Sequence, residues 1–505
     1  MFPRYAQLSI AIAIVALACV LRVEQAQTRH SMWLDEAHQF GVVTDSTNAS
    51  DVLDALARFD SHPPLSYLFD WSVVQIWGPD ALLSRTPYVI LGTLAVALLM
   101  VMAWLRFGTA CALLSGLLAA CSPFLVRTSA MLRYGALVCA LTPIWGMTFL
   151  RLERRRDTRS AILWGVASAI YAYASYHAMF AVIAGGLYLL ARDRSRSNLR
   201  VLAVAGGVFT VCYAPWVPSL VTQMQVDRWT WAQVKPNPGE VFTTLRLVTG
   251  RNSWAILLAS LVLGVLTMKR GRGALLGLSA AAFGGTFLAW AAHWVAGPYV
   301  RRLLVGFVIL GLPPACWYLA QMGRTGPVAW WRGLSTGRVY RMSPRMHGSI
   351  GVVLVGVILI AQAREIRMWH TTSGISPMTM VAAKVDELER AGDVVVVSPS
   401  ILATAFHHQF AGTSPVMAPP YPHPAAYRTT ERVDPDMASC IERARKTLDS
   451  GGRVWLVASD RYSPRKPEEV RVRELLFRIG EPSRTFPFDD RTWWFPVYLV
   501  LVEAR

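Results

Sequence analysis

Long apolar stretches separated by short polar ones fill the first 370 positions of the chain, and beyond them a finer alternation of amphipathic and apolar segments takes over. An apolar helix of about 20 residues crosses the hydrocarbon core of a bilayer. The apolar runs predict about eleven such spans, near 5–22, 86–105, 109–126, 132–150, 161–176, 178–191, 200–218, 253–268, 274–296, 302–321 and 349–366. Between them lie two longer polar loops, 23–85 and 219–252, and after them a tail, 367–505. In the tail, "VAAKVDELERAG", "MASCIERARKTLDSGG" and "VRVRELLFRIG" carry the helical period, whereas "DVVVVSP", "RVWLVASD" and "WWFPVYLVLVEA" read as strands. Helices alternating with strands predict a layered α/β domain, with a parallel sheet as one solution. The domains expected are therefore 1–366, transmembrane, and 367–505, α/β.

Composition supports a polytopic α-helical membrane protein, since 53% of the 505 residues are hydrophobic and only 16% charged. The net charge of +18 would suit nucleic acid if it were clustered in one domain, but arginines concentrate in short loops between apolar runs: "RLERRRDTRS", "ARDRSRSNLR", "KRGRG" and the segment from Arg324 to Arg345. By the positive-inside rule these loops are cytoplasmic, which places 23–85, 219–252 and the tail outside, with membrane lipid rather than nucleic acid as the surrounding partner. Residues 1–26 have the basic start and apolar centre of a signal peptide but lack a clean small-x-small cleavage site, so an uncleaved first helix is expected. Six of the seven cysteines lie in or beside apolar runs, which implies no disulfide framework.

The residues able to do chemistry gather on the outer side. "SMWLDEAHQF" sets Asp35 beside Glu36 shortly after the first span, and "RFDSHPPLSYLFDW" sets Asp60 and His62 before two prolines. An Asp-Glu pair alone is most often a solvated helix end, and "SHPP" alone is a helix start, because a residue before proline is extended and proline suits the first helical turn. Arg133 in "MLRYG" and Arg301 with Arg302 lie at outer ends of spans, where an arginine either snorkels or meets an anion; Arg127 is a further candidate. His177 occupies a short outer turn, "SYHAM". In the tail, "DPD" at 434–436 reads as a helix cap, His407 and His408 lack zinc spacing, and no glycine-rich phosphate loop occurs. "NAS" at 48–50 reads as a chance sequon.

Taken in order, "LDEA", "FDSHPPL", "LSRTPYVILGTL", "SPFLVRTSAMLRYGAL", "YASYHAMFAVIAGGLYLL", "YAPWVPSL" and "YVRRLLVGFVIL" resemble the GT-C glycosyltransferases, in the branch of the protein O-mannosyltransferases and lipid A aminoarabinose transferases, over roughly residues 5–370. The resemblance implies a GT-C architecture in a bacterial inner membrane, with the active site on the periplasmic side. It implies a polyprenyl-phosphate-linked sugar as donor, an extracytoplasmic lipid, glycan or protein as acceptor, and inverting transfer. Asp35 is then the base and Glu36 orients the loop or the acceptor; Arg133, Arg301 and Arg302 are candidates for the donor phosphate. Some members use a divalent cation, for which Asp60, His62 and His177 are the candidates; no nucleotide cofactor is implied. Two departures stand out. His62 replaces the lysine of the aminoarabinose transferases' "KPPL" motif, with Ser61 where they carry an acid, and Ala130 and Met131 stand where many relatives have a glutamine-glutamate pair before the arginine. A transporter or flippase of a lipid-linked glycan, or a non-catalytic scaffold, is the alternative reading; a transporter would place ionisable groups at mid-span.

Overall fold

The computed structural model describes residues 4–27, 34–60, 62–230, 257, 259–260, 272–296, 305–322, 344–372, 377–398, 401–407, 409–418, 435–458, 467–488 and 497–505. The chain forms two compact units, one of residues 1–27 and 46–369 and the other of 28–45 and 370–505.

The first unit is helical. Its elements are α1 (Arg4–Gln27), α3 (Ala49–Phe59), α4 (Leu65–Trp77), α5 (Ala81–Phe107), α6 (Thr109–Ala120), α7 (Pro123–Thr128), α8 (Gly135–Arg155), α9 (Thr158–Ala174), α10 (His177–Arg192), α11 (Arg196–Tyr213) and α12 (Val217–Thr230). After these come α13 (Arg272–Ser279) and α14 (Gly285–Ala296), joined by a π-helical turn, Ala280–Gly284, then α15 (Val305–Met322) and α16 (Pro344–Thr372). Residues 5–27, 83–107, 135–155 and 196–223 are long and apolar enough to cross a membrane, and 109–120, 177–192 and 276–292 are shorter apolar helices. Each predicted span except 253–268, most of which lies outside the described residues, coincides with one of these helices or with α9, α15 or α16.

The core of this unit is an aromatic cluster on α8, α9 and α10: Trp145 stacks on Phe149 at 5.4 Å between centroids, and Trp164, Tyr171 and Tyr188 close around them. The indole of Trp145 donates to Ser168 at 3.0 Å, so its one polar atom is satisfied inside. At one end of the bundle the buried Glu153 is clamped by Arg106 at 3.0 Å and by Arg192, and Arg156 pairs with Asp193. This is the end bearing the arginine-rich turns. The helices run from there to an opposite end, where α5, α8 and α10 begin.

The second unit holds α2 (Leu34–Asp45), α17 (Pro377–Leu388), β1 (Val394–Ser398), α18 (Ile401–His407), β2 (Val416–Met417), α19 (Pro435–Asp449), β3 (Val454–Ala458), α20 (Pro467–Ile479), β4 (Glu481–Phe488) and β5 (Val497–Glu503). Its sheet has the order β2-β1-β3-β5-β4. β1 runs parallel to β2 and β3, whereas β5 is antiparallel to β3 and β4, so the sheet is mixed rather than parallel. The antiparallel half follows from β4, which the sequence reading passed over because "EPSRTFPF" contains two prolines. Proline is admitted on an edge strand, and β4 is the edge.

A second difference concerns the outer loop 23–85, expected as one piece of the transmembrane domain. Residues 46–85 do belong to the first unit, but 28–45 belong to the second. The reason is the amphipathic face of α2, which packs against α18 and buries Ala37, Phe40 and Val43 at helical spacing.

Candidate functional site

Local chemistry explains how Asp60 and His62 come to be displayed together. Asn48 caps α3 by accepting from the Asp51 amide at 3.0 Å while Asp51 reaches back to the Asn48 amide at 3.2 Å, a reciprocal capping box that gives "NAS" a structural purpose. The Thr47 hydroxyl and the amides of Thr47 and Asn48 hold the exposed Asp51 carboxyl below the usual range. At its far end α3 stops at Asp60, which is extended, with φ −123° and ψ 168°. Pro63 and Pro64 then lead into α4, with Pro64 as the residue that precedes its first position, Leu65. The chain between the two helices is thus a tight corner carrying one carboxylate and one imidazole.

Arg133 comes from a second irregular segment, Ser129–Tyr134, between α7 and α8. Gly135 lets α8 begin hard against the end of α7: a Cβ there would lie 2.6 Å from the Thr128 carbonyl oxygen. Beneath the segment, the buried Arg22 of α1 donates from Nε to Ser129 Oγ at 2.8 Å and from Nη1 to the Ala18 carbonyl at 3.0 Å.

The two segments meet. Arg133 Nη2 donates to His62 Nε2 at 3.0 Å, and His62 Nδ1 lies 2.5 Å from Asp60 Oδ1. A guanidinium can only donate, so His62 accepts at Nε2 and carries its proton on Nδ1, donated to Asp60. The second Asp60 oxygen accepts from the fully buried Tyr67 hydroxyl. Tyr134 packs its ring 5.7 Å from His62 and under the Arg133 guanidinium at 5.5 Å. Asp60, Tyr67, Arg133 and Tyr134 are buried, and about a quarter of the His62 side chain is exposed, 23%. The result is an ordered chain from carboxylate through imidazole to guanidinium, with two aromatic walls.

Of the other candidates, Asp35 and Glu36 lie in the first turn of α2, in the second unit, where Glu36 is fully buried. His177 is the first residue of α10 and stands against Phe180. Arg127 is half-buried on α7, and Arg301 and Arg302 lie outside the described residues. Among the described residues no three His, Cys, Asp or Glu side chains are grouped to hold a metal ion. The donor set explains why Asp60 and His62 do not fit one: Asp60 is taken by His62 and Tyr67, and the lone pair of His62 Nε2 points at a guanidinium. Of "DPD", Pro435 and Asp436 open a helix, α19, and Asp434 lies outside the described residues.

The sequence reading missed Tyr67, Tyr134 and a buried amide, Gln223. Tyr67 sits two positions after Leu65, the first residue of α4, on the face turned to Asp60, a placement that the helix start at "PPL" could have signalled. Tyr134 directly follows Arg133. Gln223, on α12, gave no signal, because nothing in its sequence neighbourhood points to residues 161 and 167 positions away.

Residues 61–220 match a family model described as dolichyl-phosphate-mannose-protein mannosyltransferase. No curated protein matches the chain by sequence. Among solved structures, ArnT from Cupriavidus metallidurans in the apo state is similar over 98% of both chains, with a TM-score of 0.61 and 14% identity. The same protein bound to undecaprenyl phosphate gives 0.61 and 14% over 97% of both chains. The archaeal oligosaccharyltransferase AglB from Archaeoglobus fulgidus, in complex with an inhibitory peptide and a dolichol-phosphate, gives 0.53 and 11% over 90% of this chain and 69% of its own. The chain is thus a helical membrane protein with several apolar spans, an ArnT-like GT-C fold and a C-terminal mixed-sheet domain, and its residues 61–220 match the dolichyl-phosphate-mannose-protein mannosyltransferase family model.

Proposed function

We propose that this protein transfers a sugar from a polyprenyl-phosphate-linked donor to a hydroxyl of an extracytoplasmic lipid, glycan or protein, with inversion at the anomeric carbon. The observation that carries the reading is the chain Asp60–His62–Arg133, which begins one residue before the segment matching the mannosyltransferase family and runs through it. The bound undecaprenyl phosphate of the ArnT structure and the dolichol-phosphate of AglB support the donor class.

In the proposed reaction an acceptor oxygen attacks the anomeric carbon as the bond from that carbon to the phosphate oxygen breaks. Negative charge accumulates on the departing polyprenyl phosphate, and the acceptor proton needs a base. Arg133 is assigned to the phosphate: a guanidinium supplies charge and paired donors, and it lies just ahead of the α8 amino terminus, whose dipole has the same sign. The Asp60–His62 pair holds the guanidinium in place from behind. It also stands in for the acid that relatives carry before this arginine, since Ala130 and Met131 are apolar and buried here. Asp35 is assigned as base, taking the proton as the glycosidic bond breaks. Glu36, one position on and buried, orients that turn. Arg301 and Arg302 are further phosphate candidates.

The ionisable groups buried in the first unit favour an enzyme over a transporter. Among the described residues the buried charged side chains Arg22, Asp60, Asp70, Arg85 and Arg133 belong to the end where α5 and α8 begin, and Glu153 to the other; none of these six sits midway along a span.

The test is transfer from radiolabelled polyprenyl-phosphate sugars in membranes containing the wild type or Asp35→Asn, with lipids, glycans and proteins all analysed for label. Transfer that disappears in a well-folded variant supports the assignment, and the labelled fraction identifies the acceptor. Undiminished transfer removes Asp35 as base, and failure to bind or consume any donor removes the function.

A further inference from the structure

The His62 corner is fastened from a direction that none of the motifs indicated. Gln223 of α12 is 1% exposed, and both ends of its amide are engaged. Nε2 donates to the Leu56 carbonyl at 2.9 Å and to the His62 carbonyl at 3.2 Å. Oε1 accepts from the hydroxyl of Tyr176, in the turn between α9 and α10, and that hydroxyl accepts from the Trp216 indole at 2.7 Å.

The two carbonyls are chosen with some economy. Leu56 lies in the last turn of α3, where carbonyls lack intrahelical partners; its bond from the Asp60 amide is long, 3.4 Å. The His62 carbonyl belongs to the bond entering Pro63, and proline has no N–H with which to continue a backbone ladder. One buried amide therefore spans the corner, tying the residue four before Asp60 to His62 itself.

We propose that Gln223 is a positioning residue for the Asp60–His62–Arg133 chain: it fixes the His62 backbone so that the imidazole meets Asp60 and Arg133 together, and it makes the α12 segment part of the donor-phosphate site. Gln223 lies three positions beyond the segment that the family model matches. The assignment rests on the proposed function only for its effect on donor binding; the effect on His62 is independent of any activity.

The test uses the full-length protein in detergent, with Gln223→Met, close in volume and without donors. Carbethoxylation of His62 by diethylpyrocarbonate, followed by peptide mass spectrometry, reports whether the imidazole stays engaged. The expected result is a roughly fivefold to tenfold faster reaction at His62, matching the loss of about one net hydrogen bond, with other histidines unchanged. Undecaprenyl phosphate binding weakens by a similar factor, and in a His62→Ala background Gln223→Met has no further effect on it. Tyr176→Phe, which frees the amide without removing it, shifts both readouts in the same direction by less and serves if Gln223→Met fails to fold. An unchanged His62 rate overturns the proposal, as does an equal effect on binding in the His62→Ala background. If the wild type binds no polyprenyl phosphate, the function falls while the His62 rates still decide the role of Gln223.

Discussion

At the scale of single residues, the direction of each hydrogen bond decides what a substitution does. Asp60 accepts from two donors, the His62 ring and the Tyr67 hydroxyl. Asp60→Asn keeps one acceptor, for the His62 Nδ1–H, and its NH2 group can face the Tyr67 oxygen, but the carboxylate charge is gone. The His62 bond loses its charge assistance, and with it the firm placement of the imidazole against Arg133. We expect donor binding and transfer to fall by roughly tenfold to a hundredfold, the equivalent of losing a charge-assisted hydrogen bond of about 1.5–3 kcal/mol. Arg133→Lys keeps the charge but loses the planar fork, and with one donor bonded to His62 it would have fewer to offer the phosphate proposed for this position. Its kcat/KM should drop by at least as much as that of Asp60→Asn, measured by the same transfer assay. Thermal unfolding separates these effects from simple instability.

At the scale of elements, legibility followed the reach of the interaction. The long apolar helices could be read because an apolar run of bilayer length is a local signal, and the corner at His62 could be read because two prolines are. The meeting of His62 with Arg133 was not expected, since 71 positions separate them and the resemblance grouped His62 with Asp60 and His177 instead. Gln223 and the packing of α2 against α18 were invisible, because their partners lie far along the chain, 161 and 167 positions from Gln223 and beyond the whole first unit from α2. The edge strand β4 was hidden by its prolines for the converse reason, that a rule valid for central strands does not hold at an edge. The junction of α1, α5 and α7 offers an elemental test. A Cβ added at Gly92 on α5 would stand 2.4 Å from Ser129 Cβ and 2.9 Å from Arg22 Nε, and neither atom is the free end of a flexible chain. Gly92→Ala should therefore destabilise the first unit by about 1–3 kcal/mol through overpacking, read as a lower melting temperature in detergent. It should also weaken donor binding, because Ser129 leads directly into the Arg133 segment.

At the scale of the whole molecule, the division of the chain determines which lesions reach the acidic pair. Asp393 is the buried hinge of the second unit: it accepts from Arg453 Nη2 at 2.7 Å, Arg453 Nε at 3.1 Å, the Trp455 indole at 2.9 Å and the Arg390 amide at 2.9 Å. Burial works against its charge, but the bonds from Arg453, Trp455 and Arg390 and the Arg453 charge outweigh it and hold the carboxyl below the usual range. A carboxylate whose native pKa is depressed contributes its full stability above the unfolded value, about 3.9, and loses it as the pH falls through the lower native value. Asp393→Ala leaves the Arg453 charge buried without its partner, a loss of about 3–5 kcal/mol. Hydrogen exchange on the full chain should show the consequence at pH 7 as faster exchange in β1, β3 and α17. It should also show faster exchange in residues 34–45, because α2 packs on α18 of the same unit although its sequence neighbours belong to the other. In the wild type the same amides should lose protection on acidification below about pH 4, and Asp393→Ala should reduce that dependence to the part due to Glu389, whose carboxyl Ser414 and Thr413 also hold below the usual range. If exchange in 34–45 stays unchanged while β1 and β3 open, α2 does not belong to the second unit. If they open together, a substitution more than 350 positions from Asp35 acts on the helix that carries it, and transfer should decline with the fraction of that unit unfolded.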